Sequence, residues 1–473
     1  MSEAKPNLVI RGGSIVTPQG IVDADIAIEG EHIAAVAKGL PAGKREIDAS
    51  GLTILPGLID IHLHFNEPGR ADWEGAATGS RALAAGGGTV FFDMPLNSSP
   101  CTVNARHFDQ KRTALESASI TDFALWGGLI PGNAEDLAEL AARGVVGFKA
   151  FLCDSGLPEF PRADDLTLYE GMKESARLGL PVAVHAESEE ITKRLSKRIA
   201  AAGRAQSDRN GIAAFLESRP VIAEVEAISR AGLLAREAGC RLHIVHISSG
   251  KGVAAALEAR SLGADISLET CPHYLLFTED DFLRIGALAK CAPPLRKPAE
   301  RDSLWASVLR GEVDVIGSDH SPCPPEMKQR ENFFEVWGGI AGVQWTLPAL
   351  IDKGLDPIRL AALTSSNGAR RFGIDRRGAI EPGAIADLAL IDLNASQTVR
   401  EESLFHRHRI TPYLGMKLRG VIRKTIRRGE VIYSDGTITA LTPGVLIKPA
   451  RNENATSGTH AQQLPARSSS PHS

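Results

Sequence analysis

The stretch Pro56-Gly57-Leu58-Ile59-Asp60-Ile61-His62-Leu63-His64 decides the fold. Residues two apart on a strand point to the same face, so both imidazoles can reach one cation. An apolar run that ends in His-x-His suits the C-terminal mouth of a (β/α)8 barrel, where such folds carry their active sites. Taken alone, paired histidines are also an ordinary surface feature, so the rest of the chain has to carry the argument.

Working outward, short apolar runs alternate with amphipathic helical stretches. The expected strands are Ile54–His64, Thr89–Pro95, Asp122–Leu129, Val145–Leu152, Pro181–Glu187, Leu242–Ser248, Asp265–His273 and Val313–His320. Eight such units over about 265 residues fit a (β/α)8 TIM-like barrel. A doubly wound open sheet would alternate in the same way, but no Gly-rich dinucleotide loop follows the first strand. Before this region, Leu8–Arg11, Ile21–Ile28 and His32–Val36 read as strands with Gly-rich turns between them, and similar text returns at Asp387–Asp392 and Thr425–Tyr433. The expectation is an α/β chain: a β-sandwich part over 1–54, a barrel over 55–380, and the rest of the sandwich over 381–448. A polar tail over 449–473 is expected to be disordered.

Composition narrows the function. With 53 basic and 57 acidic residues the formal charge is −4, which argues against nucleic acid or an anionic membrane as the main partner. Six cysteines lie far apart without a Cys-x-x-Cys pair, as expected of free thiols in a reducing cytoplasm. No signal peptide or membrane span is legible.

The expected strand ends carry His62, His64, Lys149, His185, His246 and Asp319. Four imidazoles, one amine and one carboxylate make a two-cation site if the lysine becomes an anion. A neutral lysine adds CO2 to give a carbamate whose two oxygens can bridge two cations, and burial among Phe148 and Phe151 favours the neutral amine. Each member has an ordinary alternative: a snorkelling lysine, a structural histidine, an Asp that caps a helix. His243 and His246, three apart, are expected on opposite faces, with His246 in the mouth and His243 structural. His273 and His320 are candidates for support of the ligands or contact with substrate, and Asn97 for contact with substrate.

With these motifs the chain resembles the cyclic amidohydrolases of the amidohydrolase superfamily, the dihydroorotases, hydantoinases and allantoinases, from about Leu8 to Tyr433. The resemblance implies hydrolysis of a ring amide at a binuclear centre held by His62, His64, carbamylated Lys149, His185, His246 and Asp319. Zinc is the first expectation; iron, cobalt or manganese also suit such ligands. Dihydroorotases carry His-x-His-x-Arg, whose arginine holds a substrate carboxylate; here Asn66 stands at that position. Hydantoinases place a tyrosine five residues after the lysine; here it is Asp154. Dihydroorotases also tend to have an asparagine before a double proline, where this chain has Ala292 in Lys290-Cys291-Ala292-Pro293-Pro294, while Met94-Pro95-Leu96-Asn97-Ser98-Ser99-Pro100, Glu269-Thr270-Cys271-Pro272-His273-Tyr274 and Ser318-Asp319-His320-Ser321 look like the allantoinase pattern. That branch implies allantoin as the substrate, Asp319 as the proton-transferring group, substrate contacts from Asn97, Asn66 and His320, and a homo-oligomer, a tetramer by family habit.

Overall fold

The computed structural model describes residues 5–201 and 211–450; the tail expected from 449 lies outside these residues from 451 onward. Eight strands form the barrel: β1 (Leu58–Leu63), β2 (Gly88–Asp93), β3 (Asp122–Leu125 continued by Gly127–Gly128), β4 (Phe148–Phe151), β5 (Val182–His185), β6 (Leu242–Ile244), β7 (Ile266–Thr270) and β8 (Val315–Ile316). All neighbours pair in parallel. Between β8 and β1 the ring closes beyond β8, where Asp319 N–H donates to His62 O (2.9 Å) and His64 N–H to His320 O (2.8 Å). Trp126 interrupts β3 and turns its indole N–H onto the carbonyl of Ile61, 3.0 Å away.

Helices follow the strands and start where the sequence supplies caps. The side chains of Asn104, Asp164 and Ser249 each accept the backbone N–H three residues on, at the start of Ala105–Ala118, Asp165–Arg177 and Gly250–Ser261. An apolar cluster running around the ring, including Ile59, Phe92, Ala124, Ala183 and Val315, packs the strands together. Among the described residues no helix is long and apolar enough to cross a membrane, and all six cysteines are buried and unpaired.

Both chain ends build one nine-stranded sheet, with Leu388–Thr398 pairing with Lys417–Arg427 on one side and Thr53–Pro56 on the other. Ile10, Ile26 and Ile54 from the first end pack with Leu388, Leu390 and Ile426 from the second. The apolar run read as a single strand over 54–64 is therefore two. Thr53–Pro56 belongs to the end sheet and Leu58–Leu63 to the barrel. Gly57 is the joint: a Cβ there would lie 2.4 Å from the Thr89 hydroxyl, so only glycine lets the two layers meet. After Ile438 the chain leaves the end sheet, and Val445 and Ile447 hydrogen-bond to Phe123 at the start of β3.

Candidate binuclear metal site at the barrel mouth

Where the chain leaves β1, β2, β6 and β8 it turns sharply. Asn66 (φ 65°), Asn97 (68°), His246 (40°) and Asp319 (45°) are four of seven described non-glycine residues with left-handed backbone. Asn, Asp and His tolerate this region better than most residues. The turns swing side chains from the strand ends back over the barrel axis, and strained backbone gathers at the mouth.

The six residues read as ligands, His62, His64, Lys149, His185, His246 and Asp319, all line one cavity of about 520 Å³. Asp319 Oδ1 lies 3.4 Å from His62 Nε2 and 3.5 Å from His64 Nε2. Nδ1 of His185 faces Nε2 of His246 at 3.1 Å. Two of the other ring nitrogens are assigned by their partners. His62 Nδ1 is 2.7 Å from Glu269 Oε1, and His185 Nε2 is 2.9 Å from Glu187 Oε2. A proton on each of those nitrogens leaves His62 Nε2 and His185 Nδ1 as the free lone pairs, turned toward the cavity.

Electrostatics favour a cation here. Burial would raise the Asp319 carboxyl, but His62 and His64 outweigh it and hold it below its ordinary range. Burial lowers His64, His185 and, most strongly, His246, which keeps these imidazoles neutral and able to ligate. Lys149 is buried and its Nζ has no hydrogen-bond partner. Desolvation brings its pKa down to about 8 although Glu269 and Asp319 pull the other way. An unpartnered buried amine beside imidazole lone pairs and a carboxylate fits a centre in which that amine is converted to an anionic ligand.

Sequence reading missed the two carboxylates, Glu269 and Glu187, that hold the candidate ligands His62 and His185. Glu269 on β7 takes His62 Nδ1 on one oxygen and His243 Nε2 (3.1 Å) on the other, and also accepts the backbone N–H of His246 (3.1 Å). Burial opposes the charge of Glu269, but the two imidazoles push its carboxyl far below the ordinary range. His243 is locked by this contact and by Ser267 Oγ at 2.8 Å. Strand alternation does not separate His243 from His246, because β6 ends at Ile244 and His246 lies on the turn beyond it. The sequence signals for Glu269 were its place within the expected strand Asp265–His273 and at the head of the Glu269–Tyr274 segment, neither of which gives its partners. We expect Glu269→Gln to weaken metal retention by about 10- to 100-fold, measured as the rate of metal loss to a chelator.

Of the expected substrate contacts, Asn97 lines the cavity and donates to Ser321 Oγ at 3.1 Å. Asn66 is fully buried and turns its amide toward the carbonyl of Pro322 at 3.4 Å. His320 points away from the mouth: its Nδ1 accepts the N–H of Gly342 (3.1 Å), and its Nε2 faces Glu74 at 3.7 Å. Both thus lie off the cavity wall, as does His273, whose ring nitrogens have no partner and whose pKa burial lowers to about 4. Strand position alone could not give these directions, since Asn66 itself and Asp319 just before His320 turn the chain sharply and His273 lies in the short helix after the strand.

A parallel barrel whose strand ends gather four imidazoles, a buried lysine and an aspartate defines a metal-dependent hydrolase class. The model of the amidohydrolase family matches residues 53–432, and the chain belongs to that family. Amidohydrolases use a binuclear metal centre. Within the family, the chain is 62% identical to a protein named allantoinase from Solibacter usitatus (strain Ellin6076) over 96% of this chain and 99% of that one. It is 52% identical to one of the same name from Rubrobacter xylanophilus, over 94% and 98%. Among solved structures it superposes on an L-hydantoinase (dihydropyrimidinase) from Arthrobacter aurescens with a TM-score of 0.90 at 32% identity, covering 93% of this chain and 99% of that one. A D-hydantoinase from Thermus sp. gives 0.87 at 26% identity, covering 94% and 99%.

Proposed function

We propose that this protein is an allantoinase, hydrolysing the hydantoin ring amide of allantoin to allantoate. The observation that carries this reading is the set of six ligand-type residues on one cavity wall, in a chain that relatives of that name match over 94% to 96% of its length.

His62, His64, His185, His246, Asp319 and the CO2-derived carbamate of Lys149 would hold two divalent cations, zinc first, with iron, cobalt or manganese also suited to these donors. Bound there, the cations supply Lewis acidity, polarising the ring carbonyl and bringing the pKa of a water near neutrality. Asp319 accepts the proton of the attacking water as the new C–O bond forms. It returns that proton to the ring nitrogen as the C–N bond breaks, leaving a ureide and a carboxyl group whose remaining proton is lost to solvent to give the carboxylate. Asn97 presents its amide to the polar edge of the substrate, and Phe151, Phe215, Phe334 and Trp337 supply apolar wall that limits water around it.

Substrate choice follows from a missing charge. Asn66 stands where the dihydroorotase pattern has its carboxylate-holding arginine and lies off the cavity wall, while Arg219 and Lys290 on that wall are engaged, Arg219 with Glu187 and Lys290 with the carbonyls of Phe333 and Val336. A ring without a carboxylate suits this wall better than dihydroorotate does. Metal-loaded protein in bicarbonate buffer, assayed side by side, is expected to show kcat/KM for allantoin about 10³-fold or more above that for dihydroorotate. The reverse order would overturn the substrate while keeping the metal chemistry.

A further inference from the structure

The described residues hold a second group of metal-type donors, just behind the first. A ligand atom each of Cys153, His185 and Glu187 lies within 4.8 Å of the others, and all three residues are buried. Thiolate, imidazole and carboxylate form a zinc-type donor set. Glu187 is fully buried and its Oε1 has no hydrogen-bond partner. A cation bound here would draw His185 through Nε2, the nitrogen opposite the one that faces His246.

Arg219 occupies this neighbourhood. Its guanidinium pairs with Glu187 Oε2, and its charge works on the Cys153 thiol against the effect of burial. It is held from behind: Arg296 donates one nitrogen to the Arg219 carbonyl (2.5 Å) and another to Ser248 Oγ (2.9 Å), and Ser248 is bonded in turn to Glu224. A guanidinium is permanently charged and cannot be displaced by loss of a proton.

We propose that Arg219 is a positioning residue that stands in for a cation: it neutralises Glu187, closes a Cys153–His185–Glu187 site to soft divalent metals, and so commits His185 to the catalytic pair. The inference rests on the reading of His185 as a ligand of that pair. Without the charge, a thiophilic cation coordinates Cys153 as thiolate and takes Glu187 and His185 Nε2 as further ligands, with the Cys153 thiol proton and the His185 Nε2 proton both going to solvent.

The test is cobalt(II) loading followed by metal analysis and absorption spectroscopy. Wild-type protein is expected to hold two cobalt ions per chain with no thiolate-to-cobalt charge-transfer band. Arg219→Gln, and Arg219→Met as a second neutral variant should the first fold poorly, should each bind one further ion and gain the band. Cys153→Ser in the Arg219→Gln background should remove both gains, and Arg219→Lys, which keeps the charge, should show neither. Two ions in wild type with no gain in either neutral variant would overturn the proposal and leave the catalytic reading standing. Fewer than two in wild type would overturn that reading and this proposal with it.

Discussion

Lys149→Ala should lower kcat/KM for allantoin by about 10³-fold or more, about 4 kcal/mol of lost transition-state stabilisation. Carbamylated, Lys149 would add an anionic ligand beside Asp319 to a wall otherwise supplying neutral imidazoles. The variant should fold. Lys149 Nζ makes no hydrogen bond, so truncation removes a costly buried amine along with its packing stem. Acetate or propionate should restore part of the activity by placing a carboxylate where the carbamate was. Substantial activity without any such addition would sink the carbamate.

The same lysine sets a pH dependence. Carbamate formation requires the neutral amine. With a pKa near 8 rather than 10.5, about one amine in ten is neutral at pH 7, against fewer than about one in a thousand for an ordinary lysine. Reactivation of metal-free protein by bicarbonate and metal should therefore speed up as pH rises toward 8 and level off above it. The sign follows from the lowered pKa: raising pH removes the proton that blocks addition of CO2.

Asp319→Asn is the second large effect. Asparagine keeps the size of the side chain and accepts the left-handed backbone at φ 45°, whereas most other residues would be strained there. The variant should retain part of its metal and lose kcat by about 10²- to 10⁴-fold with a smaller change in KM, because it cannot take the proton of the attacking water. In wild type the imidazoles keep the Asp319 carboxyl below its ordinary range, so the base form prevails at neutral pH and is lost only as pH falls through that lowered value. Near-full turnover by Asp319→Asn would show that the proton travels by another route.

Much of this site was legible because its signals are local. His-x-His at the end of an apolar run, a lysine between phenylalanines and an aspartate before a histidine are each recorded within a few residues. Barrel topology then converts strand ends into neighbours. Three kinds of fact needed the folded chain. Glu269 and His62 are 207 positions apart, and nothing near either residue announces the other. Gly57 divides one apolar run between two sheets, which alternation cannot reveal because a strand's periodicity is the same in both. The directions of Asn66, His246 and His320 depend on turns after the strand, where period-two reasoning ends. Sequence by itself determined which chemistry this chain carries, since donor types and strand spacing are covalent facts. Tertiary structure alone decided which nitrogen of His62 and of His185 faces the cavity and which carboxylate holds each ring there, because those are choices among partners brought together only by folding.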